Sequence, residues 1–197
     1  MKSLLVSCLL LMAAPVMGQK STTQILPKDI QIKTALLPLS EDDKEGAMVY
    51  GYDAEGKMTV LRKGTNNLVC IADNPMKDGV SVSCYFSQLD PFMARGRELS
   101  AQGKTVAEIR EIRGNEIASG ALKMPGEPSM LYVYYGKSED YDPKTGSLEN
   151  GKFRYVIYTP FATVESTGLP AKPHAPGMPW LMDPGTHRAH IMVGPFN

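Results

Sequence analysis

The chain has 197 residues, 43% of them hydrophobic, and its 21 Lys and Arg balance 21 Asp and Glu. That length holds one ordinary domain with a substantial core. The balance of charge provides no basic face of the kind that nucleic acid or an anionic membrane surface needs, so neither is an expected partner.

The first eighteen residues read as an export signal. Lys2 supplies a positive start, and the apolar run from Leu4 to Val16 is shorter than the roughly 20 residues a spanning helix requires. Val16-Met17-Gly18 resembles a processing site, which predicts cleavage before Gln19. Residues 1–18 are therefore expected to be a signal peptide and 19–197 a single globular domain, soluble in the periplasm or outside the cell. No later apolar run reaches spanning length, so no transmembrane segment is expected in the mature chain. Cys8 leaves with the signal. Cys70 and Cys84 remain, and an even pair in an oxidising compartment is expected to be a disulfide.

Along the mature chain, Pro27 to Leu37 fits a helix, with Pro27 in the first turn and Ile30, Thr34 and Leu37 on one face. Alternation at Ile30 and Ile32 makes a strand the competing reading. Four strands follow at 48–52, 58–62, 68–72 and 80–85, separated by turn residues, which predicts a meander of antiparallel hairpins. Cys70 and Cys84 lie almost symmetrically about the turn near Lys77, so a hairpin sets them opposite each other. Asp90-Pro91 reads as an N-cap with a first-turn proline, opening a helix that Gly103 ends. Thr105-Val106-Ala107-Glu108 is a capping box, and Val106, Ile109, Ile112 and Ile117 give the second helix an apolar side. Arg95, Arg97, Arg110 and Arg113 alternate with Glu98, Glu108, Glu111 and Glu116, the pattern of a solvated helix face. Segments 130–135 and 153–158, rich in β-branched and aromatic residues, pair as a hairpin. The polar connection from 136 to 152 is long enough to be functional or mobile.

The C-terminal arm, 173–197, holds all three histidines and the only tryptophan. Its prolines exclude a regular helix or a central strand over 173–184. Trp180, Leu181 and Met182 need somewhere to bury, Asp183-Pro184-Gly185-Thr186 is a turn, and Ala189 to Val193 is a short strand. The expected fold is α+β: a mainly antiparallel sheet, a helical pair packed on one side, and the Pro-rich arm ending in that strand.

Two kinds of site are legible. His187, His190 and Asp183, with His174 as a further nitrogen, carry the ligand types of a zinc site, and three such ligands plus water would serve a metal-assisted hydrolase. A strand through His190 turns His187 to the other face unless the bend near Thr186 redirects it. The plainer account places His190 in or near the core and His187 in solvent. Tyr132, Tyr134 and Tyr155, with Trp180 on the arm, offer an aromatic face for a small molecule, a glycan or an envelope protein. The plainer account is packing. Asp140 to Gly146 resembles part of a calcium loop, but Lys144 stands where an oxygen ligand belongs. No P-loop, G-x-S-x-G or G-x-G-x-x-G is present, so the leading expectation is a non-catalytic, exported binding or envelope-associated domain without a cofactor.

The words Pro179-Trp180-Leu181-Met182-x-Pro184-Gly185-Thr186 and Ala189-His190-Ile191-Met192 resemble a family of uncharacterised secreted bacterial proteins. So do Leu61-Arg62-Lys63-Gly64-Thr65-Asn66, Cys70-Ile71-Ala72-Asp73 and Pro91-Phe92-Met93-Ala94-Arg95-Gly96-Arg97. The resemblance implies a bacterial, exported, single-domain protein and brings no activity with it.

Overall fold

A computed structural model describes residues 25–196. The expected signal peptide and its cleavage point lie outside the described residues. In chain order the elements are α1 (Lys28–Ala35), α2 (Glu41–Lys44), β1 (Met48–Tyr52), β2 (Met58–Arg62), β3 (Leu68–Ile71) and β4 (Val80–Phe86). They continue with α3 (Asp90–Ala101), α4 (Val106–Ala118), β5 (Ser129–Gly136), β6 (Tyr141–Asp142), β7 (Ser147–Leu148) and β8 (Lys152–Tyr158). α5 (Val164–Thr167), β9 (Trp180–Met182) and β10 (His190–Phe196) complete the set. Eight strands form one sheet in the order β2-β1-β3-β4-β5-β8-β10-β9. The fold is α+β, and the sheet is antiparallel except for β1 and β3.

That parallel pair corrects the expected meander. After the β1–β2 hairpin the chain crosses back over the start of β1 and lays β3 on its other side. Thr65 and Asn66 donate their amides to Gly46 O at 2.7 and 3.0 Å. Arg62 reaches back to Ala47 O at 2.8 Å, and also donates to Lys44 O. The crossing is tight: a Cβ on Gly64 would sit 2.6 Å from the Met48 amide nitrogen.

α1 lies on one face of the sheet. Of the expected Ile30, Thr34 and Leu37 face only Thr34 is buried, together with Gln31 and Ala35, and Ile30 and Leu37 are half-buried. Ala35, Leu36, Val49, Leu68, Cys70 and Cys84 form one apolar cluster there. The buried amide of Gln31 is satisfied by strand-like pairing with the end of β1, donating to Tyr52 O at 2.9 Å and accepting from Tyr52 N at 2.8 Å. Cys70 and Cys84 are direct cross-strand partners with Cα atoms 4.0 Å apart, joined as a disulfide and wholly buried. The 136–152 connection packs against this face through a small β6–β7 hairpin. Tyr141 shares a 2.7 Å hydrogen bond with Thr34, and Leu148 is buried. Asp142 Oδ1 and Oδ2 accept from Lys144 N and Thr145 Oγ1, so this carboxylate closes the turn of that hairpin.

α3 and α4 cover the opposite face. Val69, Tyr85 and Leu89 form the core beneath α3, with Met93, Leu131 and Tyr158 packed around them. Asp90 is not the N-cap that the sequence suggests. A 3-10 turn, Ser87–Leu89, precedes α3 and makes Asp90 its first residue. Its carboxylate is then directed at Tyr85 Oη, 2.7 Å away, and at Arg97, 2.8 Å away. α4 does begin with the expected capping box at Thr105.

The arm ends in the expected strand, β10, and adds an unexpected one, β9, that forms the sheet edge. β9 pairs with β10, and β10 with β8. The buried anchor, however, is Leu181, at 0% exposure, while Trp180 is half-buried. Among the described residues no helix is long and apolar enough to cross a membrane.

Candidate functional site

In the arm, the turn after β9 holds Asp183 at φ 53°, a left-handed conformation that aspartate tolerates. The Asp183 carboxylate pairs with Arg188 at 2.7 Å. His190 is half-buried, its ring stacked on Tyr158 at 5.2 Å. Its Nδ1 lies 2.6 Å from Arg188 O, and a carbonyl only accepts, so Nδ1 carries the proton. His187 is turned inward against α4, edge-on to Phe92 at 6.0 Å, with Nε2 buried and without a partner among the described residues. The plainer account of a solvent-facing His187 is thus corrected. His174 is exposed, far along the arm. Burial holds His187 and His190 below the usual imidazole range, so both are neutral at pH 7. Among the described residues no three His, Cys, Asp or Glu side chains gather closely enough to hold one metal ion. His174, His187, His190 and Asp183 are therefore not brought together as a zinc site, because Arg188 occupies the carboxylate and the two nearer imidazoles pack on different neighbours.

The expected aromatic face divides. Tyr132 faces Tyr155 across β5 and β8 at 6.0 Å, and Tyr134 faces Phe153 at 4.6 Å. Phe153, Tyr155 and Phe196 continue the row. These rings share the α1 side of the sheet, all partly buried except the exposed Phe196, and the Tyr134 hydroxyl donates to Leu148 O at 3.2 Å. Trp180 is opposite Met192, which is one residue out of phase with Val193, the partner of Tyr155. With a side-chain period of two, Trp180 lies on the other face. The four residues do not form one binding surface.

A different site stands on the helical-pair face. Between α3, α4 and the sheet runs a cleft of about 870 Å³. Three of the four arginines expected on a solvated helix face, Arg97, Arg110 and Arg113, line it. Arg95 clamps Glu116 through contacts of 2.6 to 3.0 Å and ties α3 to α4. Arg97 is held by Asp90 and Tyr85 and lies 4.4 Å over the Tyr50 ring. Arg113 lies 3.8 Å over the Phe92 ring and donates from Nη1 to Phe92 O at 3.0 Å. Gly96 leaves room for it, since a Cβ there would come within 3.0 Å of Nη1. Nε of Arg113 is buried with no hydrogen-bond partner among the described residues. Burial pulls the guanidinium below its usual range, and Arg188 and Arg110 nearby add to that. Tyr158 packs edge-on against Phe92 at 6.0 Å, and burial pushes its phenol up. Arg188, Asp183 and His190 complete this end. Methionines, Val106 and Ile109 line the remainder.

Sequence reasoning missed Arg113, Arg188 and Phe92 as site residues. The available signal was Gly96 and Gly114 inside otherwise good helices, where a conformationally costly residue marks close packing. Gly114 sits against His187, 3.2 Å from where its Cβ would be. Comparison with protein families, curated proteins and solved structures finds no match to this chain.

Proposed function

We propose that this protein is an exported binding domain, periplasmic or extracellular, that holds a small molecule in the cleft beneath the helical pair. The observation that carries the reading is the cleft. About 870 Å³ of concave space falls within the roughly 300–1,000 Å³ of small-molecule sites, and its mostly apolar walls converge on a few polar groups, as such sites do. Export is supported by the signal-like first eighteen residues and by a disulfide, a bond that persists in oxidising compartments. The resemblance of the 179–192 words to secreted bacterial proteins points the same way.

The test is fluorescence titration with N-phenyl-1-naphthylamine, a neutral apolar reporter. Ser100→Trp fills the cleft from an exposed position, and Glu149→Trp alters an exposed position on the α1 side. Binding with a Kd below about 100 µM is expected in the native chain and in Glu149→Trp, and its loss in Ser100→Trp. Binding that Ser100→Trp leaves intact contradicts the assignment.

A further inference from the structure

We infer that the ligand is an amphiphilic anion: one apolar chain or ring bearing a carboxylate or phosphate head, with the head seated on Arg113, Arg188 and Tyr158. The inference rests on the cleft being the ligand site and adds the chemistry of what enters it.

The head follows from unmatched charge. Arg113 is half-buried and forms no ion pair with any described carboxylate. One side of its guanidinium is taken by the Phe92 ring and carbonyl, and Nε has no acceptor. Arg188 and Arg110 act on it with like sign, and the one carboxylate that acts on it, Glu116, is clamped by Arg95 instead. A guanidinium withdrawn from water without a counter-charge is costly, and a bidentate anion removes that cost. Arg188 has Asp183 as partner through one nitrogen, so a single carboxylate serves this end of the cleft. The Tyr158 hydroxyl is hydrogen-bonded to no described group, although both arginines lie close enough to perturb it. Two guanidinium groups and a phenol O–H are donors, which suits an oxyanion.

The body follows from the remaining walls. Val106 and Met76 line the cleft and are 66% and 69% exposed, and Ile109, Met93 and Met182 add to its apolar lining. No residue of α4 is fully buried, although the helix carries three isoleucines and a valine. Apolar surface grouped in this way marks a binding groove, and methionines adapt to ligands of varied shape. A small inorganic anion would leave this wall in water. A neutral apolar ligand would bury Arg113 further with nothing to pair it. An amphiphilic anion answers both.

The test is calorimetric titration of the mature chain with octyl phosphate, octanoate, octanol and inorganic phosphate, repeated with Arg113→Met and Tyr158→Phe. The better anionic amphiphile is expected to bind at least about tenfold more tightly than octanol or inorganic phosphate. Preference for octyl phosphate assigns a phosphate head, and preference for octanoate a carboxylate. Each substitution is expected to weaken the preferred anion about tenfold and leave octanol unchanged. Tyr158→Phe keeps the ring packing, so it decides the matter if Arg113→Met does not fold. Octanol binding as tightly as both anions, with Ser100→Trp still blocking it, overturns the head assignment and leaves the cleft as the site. Anion binding insensitive to both substitutions also overturns it. Failure of every amphiphile together with the neutral reporter removes the cleft itself.

Discussion

Breaking the Cys70–Cys84 bond isolates one contribution to stability that the structure allows to be sized. The two residues are fourteen apart in sequence and paired across the β3–β4 hairpin. Opening a loop of about 15 residues frees chain entropy in the unfolded state worth about 3 kcal/mol. For a chain of this size that is roughly 6–12 °C in Tm. Both sulfurs are wholly buried beside Ala35, Val49 and Leu68, so Cys70→Ala/Cys84→Ala adds a cavity cost to the entropic one. Reduced native chain keeps the sulfur atoms in place and separates the two. Guanidinium unfolding should therefore rank oxidised above reduced by about 3 kcal/mol, with the double alanine variant lower still. A reduced chain within about 0.5 kcal/mol of the oxidised one would refute the reasoning, as would two thiols reactive toward Ellman's reagent in oxidised protein.

Gly64→Ala places a Cβ 2.6 Å from the Met48 amide nitrogen and should cost about 1–3 kcal/mol in denaturant unfolding; a neutral substitution would show that the β2–β3 crossing is looser than described. Tyr85→Phe removes the hydroxyl that donates to Asp90 and accepts from Arg97 and should cost about 1–3 kcal/mol by the same measurement, with no change meaning that water replaces it freely. His187 and His190 have lowered pKa values in the fold, so the unfolded chain binds their protons at higher pH than the folded chain does. Their contribution is complete above about pH 6.5 and is lost as pH falls toward the depressed folded values. Unfolding midpoints should drop between pH 7 and 5.5, less so in His190→Gln, and a rise on acidification would contradict the assignment.

Much of the fold was legible because its signals are local. Turn residues set off the four strands from Met48 to Phe86, the capping box fixes the start of α4, and symmetric spacing about a turn pairs the cysteines. The β1–β3 parallel pairing was not legible, because the turn composition of 63–67 reads the same whether the chain folds back beside β2 or crosses β1. Gly64, Gly46 and Arg62 make the crossing possible only through backbone contacts distant in sequence. Asp90 was misread because a 3-10 turn moved the helix start, freeing its carboxylate for Tyr85 and Arg97. The polar 136–152 segment suggested mobility, yet Tyr141 and Leu148 pin it to the α1 side.

The site was less legible than the fold. An arginine run alternating with glutamates has the same period whether its helix faces water or lies over a sheet. Arg97 is half-buried over Tyr50 of β1 and against Tyr85 of β4, Arg113 over Phe92, and Arg95 through its clamp on Glu116 between the two helices. The histidines were noticed for their number, but their environment is set by Phe92, Gly114 and Tyr158, from three other elements. A cleft assembled from the β1–β2 turn, α3, α4, β8 and the arm has no contiguous motif to display.

The most direct measurement is an amide chemical-shift map of isotope-labelled protein, residues 19–197, titrated with octyl phosphate. Shifts are expected along 92–101 and 106–113 and at Tyr158 and 183–190, with the amides of Tyr132, Tyr134, Tyr155 and Phe196 unmoved. Shifts gathered on the tyrosine side of the sheet, or none at saturating ligand, would contradict the account.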